Sequence, residues 1–228
     1  MRIVFVRHGH PDYKNDCLTE LGHIHAEAAA ERLKDETPSR IFASTCGRAY
    51  ETAEHIAAKH GAMPLERCEF MREIKWGSLT EEPIHRNGHP WFVADDMVAD
   101  GQSVANANWA TEEPYSRSKV VSCTKVASDG FDALLSALGY EREGYYYRVT
   151  QKNTDTVFMV SHGGSSSAVI SYMLNIPFPQ FCATIRPDFT AITVLVLSGE
   201  TGALITPQVE LLNDARHIRT EQAASFDT

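Results

Sequence analysis

Four short stretches concentrate the residue types that do chemistry: Val6-Arg7-His8-Gly9, Ser44 to Ala53 (STCGRAYETA), Phe70 to Gly77 (FMREIKWG) and Val160 to Gly164 (VSHGG). His8 and His10 could grip a metal, His8 could attack a substrate, or both could be surface residues of a loop. The metal reading is poorly supported, because no nearby carboxylate or thiolate completes a convincing ligand set. His23-x-His25 is no better, since i and i+2 on a helix face different ways. The arginines point to phosphorus instead. Arg7 and Arg48 can hold a phosphoryl group through paired, charge-assisted hydrogen bonds. His8 can then attack through one ring nitrogen while a carbonyl oxygen holds the other. Cationic neighbours disfavour the imidazolium, so His8 is expected to be neutral. His162 is expected to be protonated, donating to the equatorial oxygens where transition-state charge spreads. An acid must protonate the leaving alcohol, and Glu73 is the candidate.

These residues need elements that bring them together. Arg2 to Arg7 reads as a buried strand, as do Arg40 to Ser44 and Thr156 to Ser161. Each runs into a glycine or small polar residue and then a helix or loop. Thr19 is an N-cap for a helix over 20–36, with Leu21, Ile24, Ala28 and Leu33 on its expected core face. Residues 47–61 form a second helix ending at Gly61. Strand–helix–strand–helix order predicts a parallel sheet with right-handed crossovers. The chemical residues then meet where the strand ends converge, and helix N-termini there suit a phosphate. Residues 76–116 carry Pro83, Gly88, Pro90, Gly101 and Pro114 and read as an irregular excursion with an aromatic cluster of Trp76, Trp91, Phe92 and Trp109. Helices are expected over 119–138 and 164–174, a strand over GYYYRV, and two final strands over 190–198 and 203–210 around SGETG. No repeat or low-complexity linker divides the chain, so one domain over 1–228 with 76–116 as an insertion near the site is the simplest account.

Composition narrows the partners. The 228 residues are 43% hydrophobic and 22% charged, ordinary for a globular chain. The net charge of −9 carries no Lys/Arg block, against nucleic acid or membrane as partner. A few arginines can still make a local anion pocket. Five scattered cysteines without a C-x-x-C pair fit reduced thiols. The apolar N-terminal stretch is too short for a signal peptide, and a cytoplasmic location is expected.

Taken in order, Arg7-His8-Gly9, LTELG at 18–22, Ser44-x-x-x-Arg48-x-x-x-Thr52-Ala53, Arg72-Glu73 with Trp76-Gly77, and Ser161-His162-Gly163-Gly164 resemble the histidine phosphatase superfamily, the phosphoglycerate mutase-like fold. The match spans residues 1 to about 175. The resemblance implies a three-layer α/β/α sandwich with a mostly parallel central sheet and a metal-independent phosphatase without cofactor. It implies His8 as a nucleophile forming phosphohistidine and Glu73 as proton donor, then base. Arg7, Arg48 and His162 would form the phosphate pocket, with Gly163 N–H, Gly9 and Asn15 assisting and His10 and Trp76 at the substrate rim. HPDYKN replaces the mutases' acidic residue and Trp-Asn pair, and no adjacent arginine pair occurs in the middle region. Both departures favour a phosphatase over a mutase, and the intact nucleophile, both arginines and the second histidine speak against a non-catalytic phospho-ligand module. GSLTEE after Glu73 also departs from the family pattern and leaves Glu81 and Glu82 as competing carboxylates. A small phosphorylated metabolite is the expected substrate, and the excursion and terminal strands offer surfaces for a homodimer.

Overall fold

Alternating apolar side chains decide the architecture. In the computed structural model, which describes residues 1–218, the first segments are β1 (Arg2–Arg7), β2 (Pro11–Asp12), β3 (Cys17–Leu18) and α1 (Glu20–Leu33). They are followed by β4 (Pro38–Ser44), α2 (Gly47–Lys59), β5 (Leu65–Cys68), α3 (Pro90–Ala99) and α4 (Lys119–Ala137). The rest comprises β6 (Tyr140–Glu143), β7 (Tyr146–Val149), β8 (Thr156–Ser161), α5 (Gly163–Met173) and α6 (Phe178–Thr184), then β9 (Ile192–Val196), β10 (Leu204–Ile205) and β11 (Gln208–Asp214). The last ten residues of the expected 1–228 domain lie outside the described residues.

Six strands form the central sheet in the order β11-β9-β1-β8-β4-β5. β1, β8, β4 and β5 run parallel, while β9 is antiparallel to both β1 and β11. Because side chains alternate along a strand, each strand feeds two cores. Val4, Val6, Ile41, Ala43, Phe158 and Val160 face α1 and α2. Ile3, Phe5, Phe42, Val157 and Met159 face the opposite layer of α3 to α6, around Phe131, Leu135, Val169 and Phe181. Burying each large side chain contributes roughly 1.5–3 kcal/mol. The three-layer α/β/α arrangement and mostly parallel sheet are as expected. No helix among the described residues is long and apolar enough to cross a membrane.

Three local expectations need correction. Thr19 does cap α1, its hydroxyl accepting from Gly22 N at 3.1 Å. Yet α1 buries Gly22, His25, Ala26, Ala29, Ala30 and Leu33, while Leu21 and Ile24 are 46% and 65% exposed. Close approach selects the small-residue face. A Cβ on Gly22 would lie 2.1 Å from the His10 carbonyl oxygen, and one on Gly9 would lie 2.4 Å from the Gly22 oxygen.

The 76–116 excursion is not wholly irregular. Pro90 opens α3 at a position where a missing N–H is harmless, and short 3-10 turns lie at His85–Gly88, Trp109–Thr111 and Tyr115–Arg117. Its ends are tied by Leu79 N to Arg117 O (2.8 Å) and Lys119 N to Gly77 O (2.9 Å). Its aromatics fall into two groups: His89 contacts Trp76, Trp91 and Phe92, whereas Trp109 packs on Tyr115 and Phe178.

The last expected strand is also divided. Pro207 lies between β10, which pairs with β7, and β11, which pairs with β9. GYYYRV is the second arm of a β6–β7 hairpin that turns at Gly144, whose φ is +59°.

Candidate active site

The neighbouring positions of β1, β8 and β4 bring the chemical residues to one edge. Arg7 pairs in register with Ser161, and Ala43 with Val160, so Arg7-His8, Ser161-His162 and Ser44 all leave the sheet together. His8 is fully buried, and its backbone N–H donates to the Ser161 carbonyl at 2.9 Å. Its ring Nδ1 lies 2.7 Å from the Gly9 carbonyl oxygen. A carbonyl can only accept, so Nδ1 carries the proton and the Nε2 lone pair is left on the other side. Arg48 Nε donates to that Nε2 at 3.3 Å, and the His162 ring stands edge-on with centroids 5.1 Å apart. Burial first, then Arg7, holds the His8 imidazolium well below its ordinary pKa against the opposing Gly9 carbonyl, with Arg48 and His10 adding to the depression. His8 is neutral, as expected.

His162 is shaped by the same cluster of cationic neighbours. Burial, His8, Arg48 and Arg7 all press its pKa well below the ordinary value. Burial is the largest of these causes, and together they favour the neutral ring. Its Nε2 lies 2.8 Å from the buried Ser44 Oγ, while its Nδ1 has no protein partner. Ser44 Oγ also accepts from Cys46 N at 3.3 Å. The approach of a phosphate dianion would favour the protonated ring.

The arginines are aimed by contacts from loops distant in sequence. Arg7 Nη1 donates to the Pro187 carbonyl at 2.5 Å, and its guanidinium lies 4.2 Å above the Phe189 ring. Its buried Nε has no protein partner, and a phosphoryl oxygen is the kind of acceptor it lacks. Arg48 sits in the first turn of α2, only 8% exposed, and pairs through Nη1 with Asp16. The other Asp16 oxygen accepts from Gly47 N at 2.9 Å, at the start of α2. A side chain at Gly47 would put a Cβ 2.0 Å from the Asp16 carbonyl oxygen.

Glu73 reaches the N-terminus of α5. Its Oε1 accepts from Ser165 N at 3.1 Å and Ile74 N at 3.0 Å, and Oε2 accepts from Gly164 N at 3.4 Å. A Cβ at Gly164 would lie 2.5 Å from Oε1, so glycine is what permits the approach. Burial raises the Glu73 pKa above the ordinary carboxyl value despite Arg7, the Gly164 and Ile74 N–H groups, and Arg48. A carboxyl whose pKa burial raises is suited to proton donation. Glu81 and Glu82 are exposed, and Glu82 pairs with Arg117 at 3.6 Å.

The remaining expected residues scatter. Gly163 opens α5, where a Cβ would stand 3.5 Å from Arg7 Nε. The Gly9 amide is engaged by Thr52 Oγ1 at 3.1 Å, so its part is to hold His8 through its carbonyl. His10 bonds Thr19 Oγ1 at 2.9 Å and meets Phe189 edge-on. Asn15 is exposed, with its amide on Asp12 Oδ2 at 2.7 Å, and is not brought to the phosphate cluster. Trp76 lies on His89 with its ring centroid 4.7 Å away, at the exposed edge of the excursion. Sequence reasoning missed Asp16, Phe189 and Ser165, which act across long sequence separations and stand in no chemical pattern of their own. The excursion braces the Phe189 segment: Trp91 Nε1 donates to Ile185 O at 3.1 Å, and Arg186 pairs with Asp95. Among the described residues, no group of three or more His, Cys, Asp or Glu side chains is arranged to hold a metal ion.

Comparison with known proteins agrees with this geometry. The model of the histidine phosphatase superfamily (branch 1) matches residues 3–115. The chain is 29% identical over 197 residues to the glucosyl-3-phosphoglycerate phosphatase of Mycobacterium tuberculosis, covering 80% of this chain and 79% of that one. It is 25% identical over 231 residues to the 2,3-bisphosphoglycerate-dependent phosphoglycerate mutase of Corynebacterium diphtheriae, covering 90% and 89%. Among solved structures, a mycobacterial glucosyl-3-phosphoglycerate phosphatase in complex with inorganic phosphate superimposes with a TM-score of 0.64 at 26% identity, covering 95% and 99%.

Proposed function

The chain belongs to the histidine phosphatase superfamily and is a phosphatase of that group, and we propose that it hydrolyses a small phosphomonoester in two steps through phosphohistidine on His8. The observation that carries this reading is the His8 ring, pinned by the Gly9 carbonyl so that Nε2 faces Arg48. Arg7, Arg48 and His162 hold the phosphoryl oxygens and take up transition-state charge. His8 Nε2 attacks phosphorus as Glu73 gives its proton to the departing alcohol oxygen. Glu73, now a carboxylate, then takes a proton from a water that attacks the phosphohistidine, and free His8 and inorganic phosphate result.

The names of the two relatives put glucosyl-3-phosphoglycerate and the phosphoglycerates first in a substrate panel. Phosphate release across such a panel, by the wild type and His8→Ala, tests the reading. The variant should lose turnover of every substrate that the wild type hydrolyses, and normal turnover by His8→Ala would sink the assignment. Adding a bisphosphoglycerate primer and following phosphoglycerate interconversion separates hydrolysis from mutase activity. Hydrolysis is expected to dominate.

A further inference from the structure

Arg72 shares a motif with Glu73, yet holding and transferring a phosphoryl group gives it no task. Two tethers place its side chain. The first is covalent: Arg72 precedes Glu73, whose carboxyl lies on the amides that open α5. The second is Thr45, whose Oγ1 accepts from Arg72 Nη1 at 3.2 Å. Thr45 follows Ser44, and the Ser44 hydroxyl lies 2.8 Å from His162 Nε2. The guanidinium therefore stands beside the end of β4, on the flank of the pocket nearest His162 and Glu73. Its side chain is 50% exposed, and its acidic neighbour Glu69 lies 3.6 Å from Nε, beyond hydrogen-bond reach. Glu69 instead accepts from Thr45 Oγ1 at 2.5 Å. Arg72 Nε and Nη2 thus make no hydrogen bond among the described residues. Glu73 protonates the leaving oxygen in the proposed reaction, so the alcohol part of the substrate lies on this flank. A phosphoryl dianion is met by two arginines, Arg7 and Arg48, and a second dianion would call for a second pair. A single guanidinium with N–H groups to spare suits one carboxylate.

We propose that Arg72 binds a carboxylate on the alcohol part of the substrate and so selects the phosphomonoesters of hydroxy acids. The proposal rests on the reading of the site as a phosphatase with Glu73 on the leaving-group side. It makes Arg72 a determinant of specificity, while Arg7 and Arg48 hold the phosphoryl group whichever alcohol carries it.

Steady-state kinetics on 3-phosphoglycerate and glycerol 3-phosphate test it, because the two differ only in a carboxylate against a hydroxymethyl group. Wild type should prefer 3-phosphoglycerate by about tenfold in kcat/KM, the low end for a charge-assisted contact at a half-exposed arginine. Arg72→Gln should abolish the preference by raising KM for 3-phosphoglycerate, with its kcat and both constants for glycerol 3-phosphate unchanged. Arg72→Lys, which keeps the charge without the planar fork, should restore part of it. Equal losses on both substrates in Arg72→Gln would mark a structural role and overturn the proposal, as would an unchanged KM for 3-phosphoglycerate or a wild type that does not distinguish the pair. Hydrolysis of p-nitrophenyl phosphate by the wild type separates the two readings. If it proceeds while 3-phosphoglycerate is not preferred, the carboxylate assignment falls and the phosphatase reading stands; if none of the three phosphates is hydrolysed, both fall.

Discussion

Replacing Asp16 by asparagine removes one negative charge while changing little else. Asp16 adopts φ +52°, a left-handed conformation that asparagine tolerates and alanine does not. Asparagine also keeps a side-chain oxygen for Gly47 N, which Asp16 Oδ2 engages at 2.9 Å. What is lost is the ion pair with Arg48, one of two polar contacts of the guanidinium, the other being the 3.3 Å bond to His8. The Asp16 side chain is 43% exposed, so solvent screening limits the pair to about 1 kcal/mol of stability. Alanine would add the loss of an N-cap acceptor and backbone strain, for about 2–4 kcal/mol in all. Activity should suffer more than stability. An Arg48 left with one polar partner loses roughly one charge-assisted phosphate contact, so kcat/KM should fall about tenfold or more in Asp16→Asn. Urea unfolding and steady-state kinetics on the same preparations would measure both. If Asp16→Asn keeps wild-type kcat/KM within twofold, the inference that Asp16 positions Arg48 is wrong, whatever happens to stability.

Three further outcomes follow from the same geometry. Glu73→Gln should lower turnover of alkyl phosphates by about 100-fold or more and barely affect p-nitrophenyl phosphate, whose leaving group needs no proton. Gly164→Ala, which drives a Cβ to 2.5 Å from Glu73 Oε1, should reproduce that leaving-group dependence in milder form, and equal losses on both substrates would argue against it. In pH–rate profiles with an alkyl phosphate, the depressed His8 pKa keeps the nucleophile neutral below pH 6.5. The raised Glu73 pKa should place an alkaline decline above the ordinary carboxyl range, and Glu73→Gln should lack that decline. His8 and His162 are buried neutral, whereas the unfolded chain binds protons at both once pH falls below about 6.5. Their contribution to stability is therefore complete above about pH 6.5 and is lost as pH drops toward their folded values, with a slope of up to about 1.4 kcal/mol per pH unit for each. Urea midpoints between pH 5 and 7.5 should show a shallower slope for His162→Asn than for wild type.

The parts of the site legible in the sequence are those that sit at strand ends. Arg7, His8, Ser44 and His162 follow three buried runs, and the β1-β8-β4 order makes those runs neighbours. Glu73 was legible by type and position, but its bonds to backbone N–H groups of α5, nearly a hundred residues away, needed the fold. Asp16 and Phe189 were invisible for a similar reason: their partners, Arg48 and Arg7, are distant in sequence. The buried face of α1 was misread because hydrophobicity favours Leu21 and Ile24, whereas tight packing favours Gly22, Ala26 and Ala29. Prolines misled in both directions. Pro90 starts a helix where it was read as a breaker, and Pro207 divides a segment that was read as one strand.

The central claim is that His8 bonds covalently to phosphorus. Rapid-quench labelling with a 32P-phosphorylated substrate, followed by denaturation, tests it most directly. The account predicts an acid-labile, base-stable phosphoprotein that forms within the first turnover, reaches up to one phosphate per chain and is absent in His8→Ala. Full turnover without a labelled intermediate, or a label that persists in His8→Ala, would contradict it.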